Sequence, residues 1–252
     1  MPILPLAALA DAPVDHIVSL GRACETAYNL RRHYGFATAY PFDWWISGTD
    51  GVARFIREAD ADDLYRLSAL EPVDDGASIR NARYDIRLHH EFPRDRGAPG
   101  RPVIADWAAR VAAPRARTAH LARRLFELAG TAGSIVFVRS CRPRDGEAAL
   151  AALLQALEMR FPRQRVGVVL VNHQGADVAG YPVHRMAVAP PATADWRGDP
   201  AAWDAALGAL GLRLTPGLHR PARAEDLSAH HAATAAPDPT TRPAPGDIRS
   251  PP

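Results

Sequence analysis

Apolar positions along the chain alternate between short strand-like runs and stretches with helical spacing. Val14 to Leu20 is a short apolar run closed by Gly21, which predicts a buried strand. Ala23, Ala27, Leu30 and Tyr34 then recur at helical spacing, and Gly35 stops the run, so a helix is expected from about Cys24 to Tyr34. Tyr40 to Ser47 (YPFDWWIS) is dense in aromatics and reads as a packed loop or turn. Short helices are expected over Gly51 to Glu58 and Ala61 to Leu67, and a short strand within Arg83 to Phe92, ending at His89 and His90. A longer helical stretch spans Ile104 to Ala129, with a break expected at Pro114. Ser134 to Arg139 (SIVFVR) and Val166 to Val171 (VGVVLV) are the clearest strands, separated by an alanine-rich helix over Gly146 to Arg160. Val183 to Val188 is a further candidate strand and Ala201 to Leu212 a last helix.

This order predicts an α/β fold with a central, largely parallel sheet flanked by helices. The two clearest strands are apolar throughout, as expected when both faces of a sheet are covered. No internal repeat is visible. The domain is expected to span residues 14–213. From Thr215 to Pro252 the chain is rich in proline and alanine and poor in large aliphatic residues. Too little apolar area is available there to offset ordering entropy, so a disordered tail is expected, with His230 and His231 incidental.

Composition narrows the chemistry. The formal net charge is +2 over 252 residues. That near balance argues against a nucleic-acid binder. The chain has no lysine, which excludes Schiff-base chemistry with pyridoxal phosphate, a P-loop and a protein kinase site. Cys24 and Cys141 are the two cysteines, too few for a disulfide framework or a cysteine-rich zinc site. The start lacks the charge pattern of a secretory signal, and no apolar run reaches membrane-spanning length. A soluble, cytoplasmic protein without a cofactor is expected, acting on a small molecule or peptide and not on nucleic acid or a membrane.

Four segments carry candidate chemistry. In SLGRAC (Ser19 to Cys24) a strand ends at a glycine and the cysteine falls in the first turn of a helix. Amides and the helix dipole there would lower a thiol pKa and could hold an oxyanion; the plain alternative is a small buried residue. In Pro41 to Trp45, Asp43 could orient a histidine, cap a helix or bind a turn, the structural roles being favoured. In His89-His90-Glu91-Phe92, an extended chain would point the two imidazoles to opposite faces, so that one could serve as base for a thiol. Adjacent histidines are poorly placed to share a metal ion, and no metal site is expected. Asn172-His173 directly follows a strand, where the sites of α/β sheets gather, together with Arg139 to Cys141. Each of these has an ordinary loop role as its alternative. The arginines Arg115, Arg117, Arg123 and Arg124 read as a solvated helix face or as an anion site.

SLGRAC, the helix YNLRRHYGF, YPFDWW, HHEF and IVFVR, in that order, resemble the bacterial papain-like cysteine peptidase family that is a domain of unknown function. The resemblance covers roughly Asp15 to His173. It implies Cys24 as nucleophile, His90 in preference to His89 as base, and Asp43 as the family's acid. It leaves open a third triad member, Asp43 or Asn172, and binding roles for Arg22, Trp44, His89 and Arg139. The family's basic pair before the FVR strand is here His120-Leu121, a departure. The implied activity is a thiol-dependent hydrolase or acyltransferase. A non-catalytic binding module and an SGNH-type esterase relative are the alternatives, the latter disfavoured because Asp177 and His184 do not match its late motif.

Overall fold

The structure, a computed structural model, describes residues 3–98, 101–142, 145–175, 178, 180–192, 195–223 and 226. Asp177, His230 and His231 lie outside the described residues, as does the expected tail from Leu227. A short helix α1 (Ala7–Ala10) leads into β1 (His16–Ser19) and α2 (Cys24–Tyr34). After an excursion come β6 (Gly133–Ser140), α6 (Glu147–Arg160), β7 (Gln164–Val171), β8 (His184–Met186) and α7 (Pro200–Ala209). The four strands form one sheet in the order β1-β6-β7-β8, and every pairing is parallel.

The uniform apolarity of these strands has a direct cause. Ile135, Phe137, Val166, Val168 and Leu170 face one core, with Leu153 and Leu157 of α6. Val136, Val138, Val169 and Val171 face the other, with Leu9, Leu30 of α2, and Trp203 and Leu207 of α7. Both faces are covered, so neither parity along a strand is polar.

The excursion between α2 and β6 builds a second sheet that the sequence pattern does not predict. It contains β2 (Ile46–Ser47), α3 (Thr49–Glu58), α4 (Ala61–Leu64), β3 (Leu70–Val73), β4 (Ser78–Asn81), β5 (Ile86–Arg87) and α5 (Ala112–Glu127). The strand order is β2-β5-β4-β3, all antiparallel. Ile79 and Ile86 of this sheet, and Leu88 just beyond β5, join the core shared with α6, so the two sheets are welded by common packing.

Several expected elements differ in detail. The strand foreseen up to His89 and His90 stops at Arg87, and both histidines lie in the turn that follows. The helix foreseen from Ile104 begins at Ala112, after a 3₁₀ turn at Trp107–Arg110, and runs unbroken to Glu127. Pro114 sits in its first turn, where a missing N–H removes no helical bond, so it starts the helix and does not break it. The aromatic loop contains a 3₁₀ turn, Pro41–Trp44, followed by β2. The segment from Thr215 to Arg223, expected to be disordered, is held on the domain. Thr215 N donates to Val14 O, Ala37 N to Arg220 O, and His219 Nε2 lies 2.7 Å from Asp15 O. Among the described residues, no helix is long and apolar enough to cross a membrane.

Candidate functional site

Cys24 is the first residue of α2, directly beyond the carboxyl end of β1. The turn between them is unusual. Gly21 has φ +75°, and a Cβ there would meet Phe42 O at 2.9 Å and Ser47 Oγ at 3.1 Å. Arg22 has φ +87°, a strained value for a residue with a side chain. The turn is clamped from beneath by Arg139, which is fully buried at the end of β6. Its guanidinium donates to Leu20 O at 2.8 Å, Ser47 O at 2.8 Å and Ser47 Oγ at 3.1 Å. Ser47 in turn donates its amide to Arg22 O and accepts from Arg22 N at 3.4 Å. Burial of Arg139 pulls its pKa down to about 10. A side chain with no exposed surface does not meet a substrate, so the binding role expected for Arg139 is replaced by a structural one.

The cap residue Ala23 offers no side chain to the helix amides. The amides of Cys24 and Glu25 lie where they favour a thiolate on Cys24 and pull its pKa down. The expected low thiol pKa is nonetheless not found. Desolvation of the half-buried thiol outweighs the pull of the amides, and the nearby Glu25 carboxylate adds to it, so the pKa is pushed up to about 11. Glu25 is itself fixed, accepting from Trp203 Nε1 at 2.9 Å. Thr26, two residues on, shares a buried hydrogen bond of 2.8 Å with Ser140 Oγ and ties α2 to the end of β6.

Arg31 lies two turns further along α2, about 10 Å at 1.5 Å per residue. It is buried, paired with the buried carboxylate of Asp43, and its Cζ sits 5.3 Å from the ring centroid of Trp44. Trp44 also meets the His90 ring edge to face, with centroids 6.4 Å apart. A continuous stack, Asp43–Arg31–Trp44–His90, thus joins the helix that carries Cys24 to the HHEF segment. Asp43 accepts from Arg31 and from the Tyr40 amide at 2.9 Å. Burial pushes its carboxyl pKa up, and the Arg31 guanidinium and the Tyr40 amide pull against that. Its hydrogen bonds are thus to Arg31 and Tyr40 rather than to an imidazole. Trp44, expected to bind substrate, is 6 % exposed and forms the platform beneath His90.

The two histidines do not diverge as an extended chain would make them. Their rings touch edge to face at 4.8 Å. His89 lies 2.7 Å from Ser78 Oγ and is covered by Arg94, which donates to His89 O at 2.8 Å. Burial and the Arg94 charge lower the His89 pKa. His90 lines an open cavity of about 450 Å³ between the HHEF segment and the start of α5.

Asn172 also has another task. Its amide donates to Val188 O at 3.0 Å and its oxygen accepts from Val188 N at 2.8 Å, at a residue with φ +56°. It closes the edge beyond β8 and does not orient an imidazole. Cys141 is 3 % exposed, with its sulfur 3.8 Å from Arg139 O, in keeping with a packing residue. His120 lies among Arg123 and Arg124 on an exposed face of α5. Among the described residues, no group of three or more His, Cys, Asp or Glu side chains is placed to hold a metal ion.

Arg31 and Ser47 escape a sequence search for chemistry. The available signal was positional: Arg31 follows Ala27 and Leu30 on the apolar stripe of α2, where a charged residue demands a buried partner.

No curated protein and no solved structure matches the chain. The agreement lies at the level of the family, and it covers β1, the clamped turn, α2, the second sheet, β6 and β7. A family model matches residues 15–176, and the chain belongs to that family, described as "putative papain-like cysteine peptidase", a domain of unknown function.

Proposed function

We propose that this protein is a thiol-dependent hydrolase of amide or thioester substrates, with Cys24 as nucleophile and His90 as its base. One observation carries the reading: Cys24 opens α2 directly beyond a strained turn that buried Arg139 clamps in place. Stored backbone strain of this kind clusters at functional sites. The first amides of α2 are suited to an oxyanion forming next to the sulfur.

Because burial holds the thiol protonated near neutral pH, the proton leaves in step with attack. The Cys24 S–H proton passes to the His90 imidazole as the S–C bond to the acyl carbon forms. The tetrahedral intermediate then expels its amine or thiol, which takes the proton from His90, leaving an acyl-thioester on Cys24. Water, giving a proton to His90, attacks that thioester; the S–C bond breaks, the sulfur regains a proton and a carboxylic acid departs. Asp43 acts at a distance, by fixing Arg31 under Trp44 and so the surface on which His90 packs.

The reading is tested by labelling with an acyl-directed thiol probe and mapping the modified peptide. Cys24→Ala is expected to abolish labelling, and His90→Gln to slow it by about 10²- to 10⁴-fold. Full labelling of Cys24→Ala at another residue would overturn the assignment. A second reading, a non-catalytic binding module, draws on the raised thiol pKa. It predicts that Cys24 reacts no faster than a free thiol with probe and buffer alone.

A further inference from the structure

The cavity beside His90 touches a proposed catalytic group and has no part in the steps above. One wall is Phe92 and Pro93. The other is the first turns leading into α5, where Ala109, Ala112, Ala113 and Pro114 present small side chains. Those small residues create the space, since larger side chains at the same positions would fill it. Its volume, about 450 Å³, lies in the range of small-molecule sites.

The charges at its rim are already matched. Arg117 pairs with Glu91, whose side chain is 5 % exposed, and Arg110 pairs with Asp106 at 2.9 Å. Among the described residues that line it, each arginine and carboxylate has a partner. An uncharged apolar group loses little by entering and gains by covering Pro93 and the exposed alanines.

We propose that this cavity binds an uncharged aliphatic or aromatic group of the substrate, and that Ala113 sets the size of group admitted. The inference rests on the reading of His90 as the base only for the word substrate. The cavity itself is tested without any reaction.

The experiment is a titration of the full chain with N-acetyl-L-phenylalaninamide and, separately, N-acetylglycinamide, following the His90 imidazole by NMR. A saturable shift of the His90 resonance is expected with the phenylalanine compound, at an affinity at least about tenfold above that for the glycine compound. Ala113→Trp, on an exposed position of the helix, fills the space and is expected to remove the preference while leaving the melting temperature within a few degrees. Ala112→Phe supplies a second obstruction should the first variant fold poorly. Equal response to both compounds, or a preference that survives both variants, overturns the proposal. Apolar selectivity at His90 in a protein whose Cys24 resists acyl probes would instead sink the hydrolase reading and leave the cavity assignment standing.

Discussion

At the scale of single residues, the site is governed by burial competing with local charge. Cys24 shows the competition most clearly, because amides that ought to acidify the thiol lose to desolvation. In His90→Gln, alkylation of Cys24 by iodoacetamide is therefore expected to climb through pH 9 and still be rising at pH 10, since the thiolate forms only near pH 11. A plateau by pH 9 would mean an ordinary thiol. Arg31 and Asp43 form the other decisive pair. Arg31→Met leaves a buried carboxylate without its cation, and a loss of about 3–5 kcal/mol is expected in urea unfolding. Arg31→Met combined with Asp43→Asn removes both charges and is expected to recover a large part of that loss. If the double variant is as weak as the single one, the pair is not the reason for the cost.

At the scale of elements, close approach of backbones decides the second sheet. Gly51 lies in α3, where alanine would ordinarily favour the helix by about 1 kcal/mol. A Cβ at this position would meet Tyr84 O at 1.7 Å, because α3 lies directly on the turn between β4 and β5. Backbone cannot swing away as a side chain can. Gly51→Ala is thus expected to destabilise the fold by about 3 kcal/mol or more, the opposite sign from propensity, as read by the denaturation midpoint. Much of the element order was legible beforehand. The helix Cys24–Tyr34 follows from its period and from Gly35, which takes the left-handed conformation, φ +69°, that ends it. β3 and β4 were not legible, for they are four residues long and carry Pro72, Glu71 and Arg80 among few apolar positions. Asp74-Asp75-Gly76 was their signal: all three residues have positive φ and turn the chain between the strands.

At the scale of the whole molecule, the segment after α7 returns to the amino end of β1 and closes that edge. Leu214 bridges Val14, and Pro221 bridges Phe36. The junction is sealed by His16 and His219, whose rings meet edge to face at 5.1 Å, with Tyr40 Oη 3.0 Å from His16 Nδ1. Burial, then the neighbouring His219, lower the His16 pKa to about 4, while Asp15 opposes the shift. The sign follows from linkage: between about pH 6.5 and 4 the unfolded chain binds a proton that the folded chain refuses, so stability falls as pH drops through that window. The loss is expected to be roughly 1–2 kcal/mol after allowance for partial solvent screening of the ring, and is measured as the unfolding midpoint against pH. His219→Gln removes a neighbour that helps lower the His16 pKa and is expected to narrow the window. A midpoint flat from pH 7 to 4.5 would mean that His16 is not held neutral.

What the sequence determined by itself is local: the strands whose both faces are apolar, the helix that opens at Cys24, and the segments where sulfur, imidazole and carboxylate stand. Those depend on spacing and on short-range backbone preference, which the chain carries wherever it goes. Which of the polar groups work together is another matter. Arg139 became a clamp, Asp43 the anchor of a guanidinium and Asn172 a strand-edge brace because folding brought unsatisfied carbonyls, a cation and an amide beside them. A buried polar group must be paired, and only the tertiary structure decides with what.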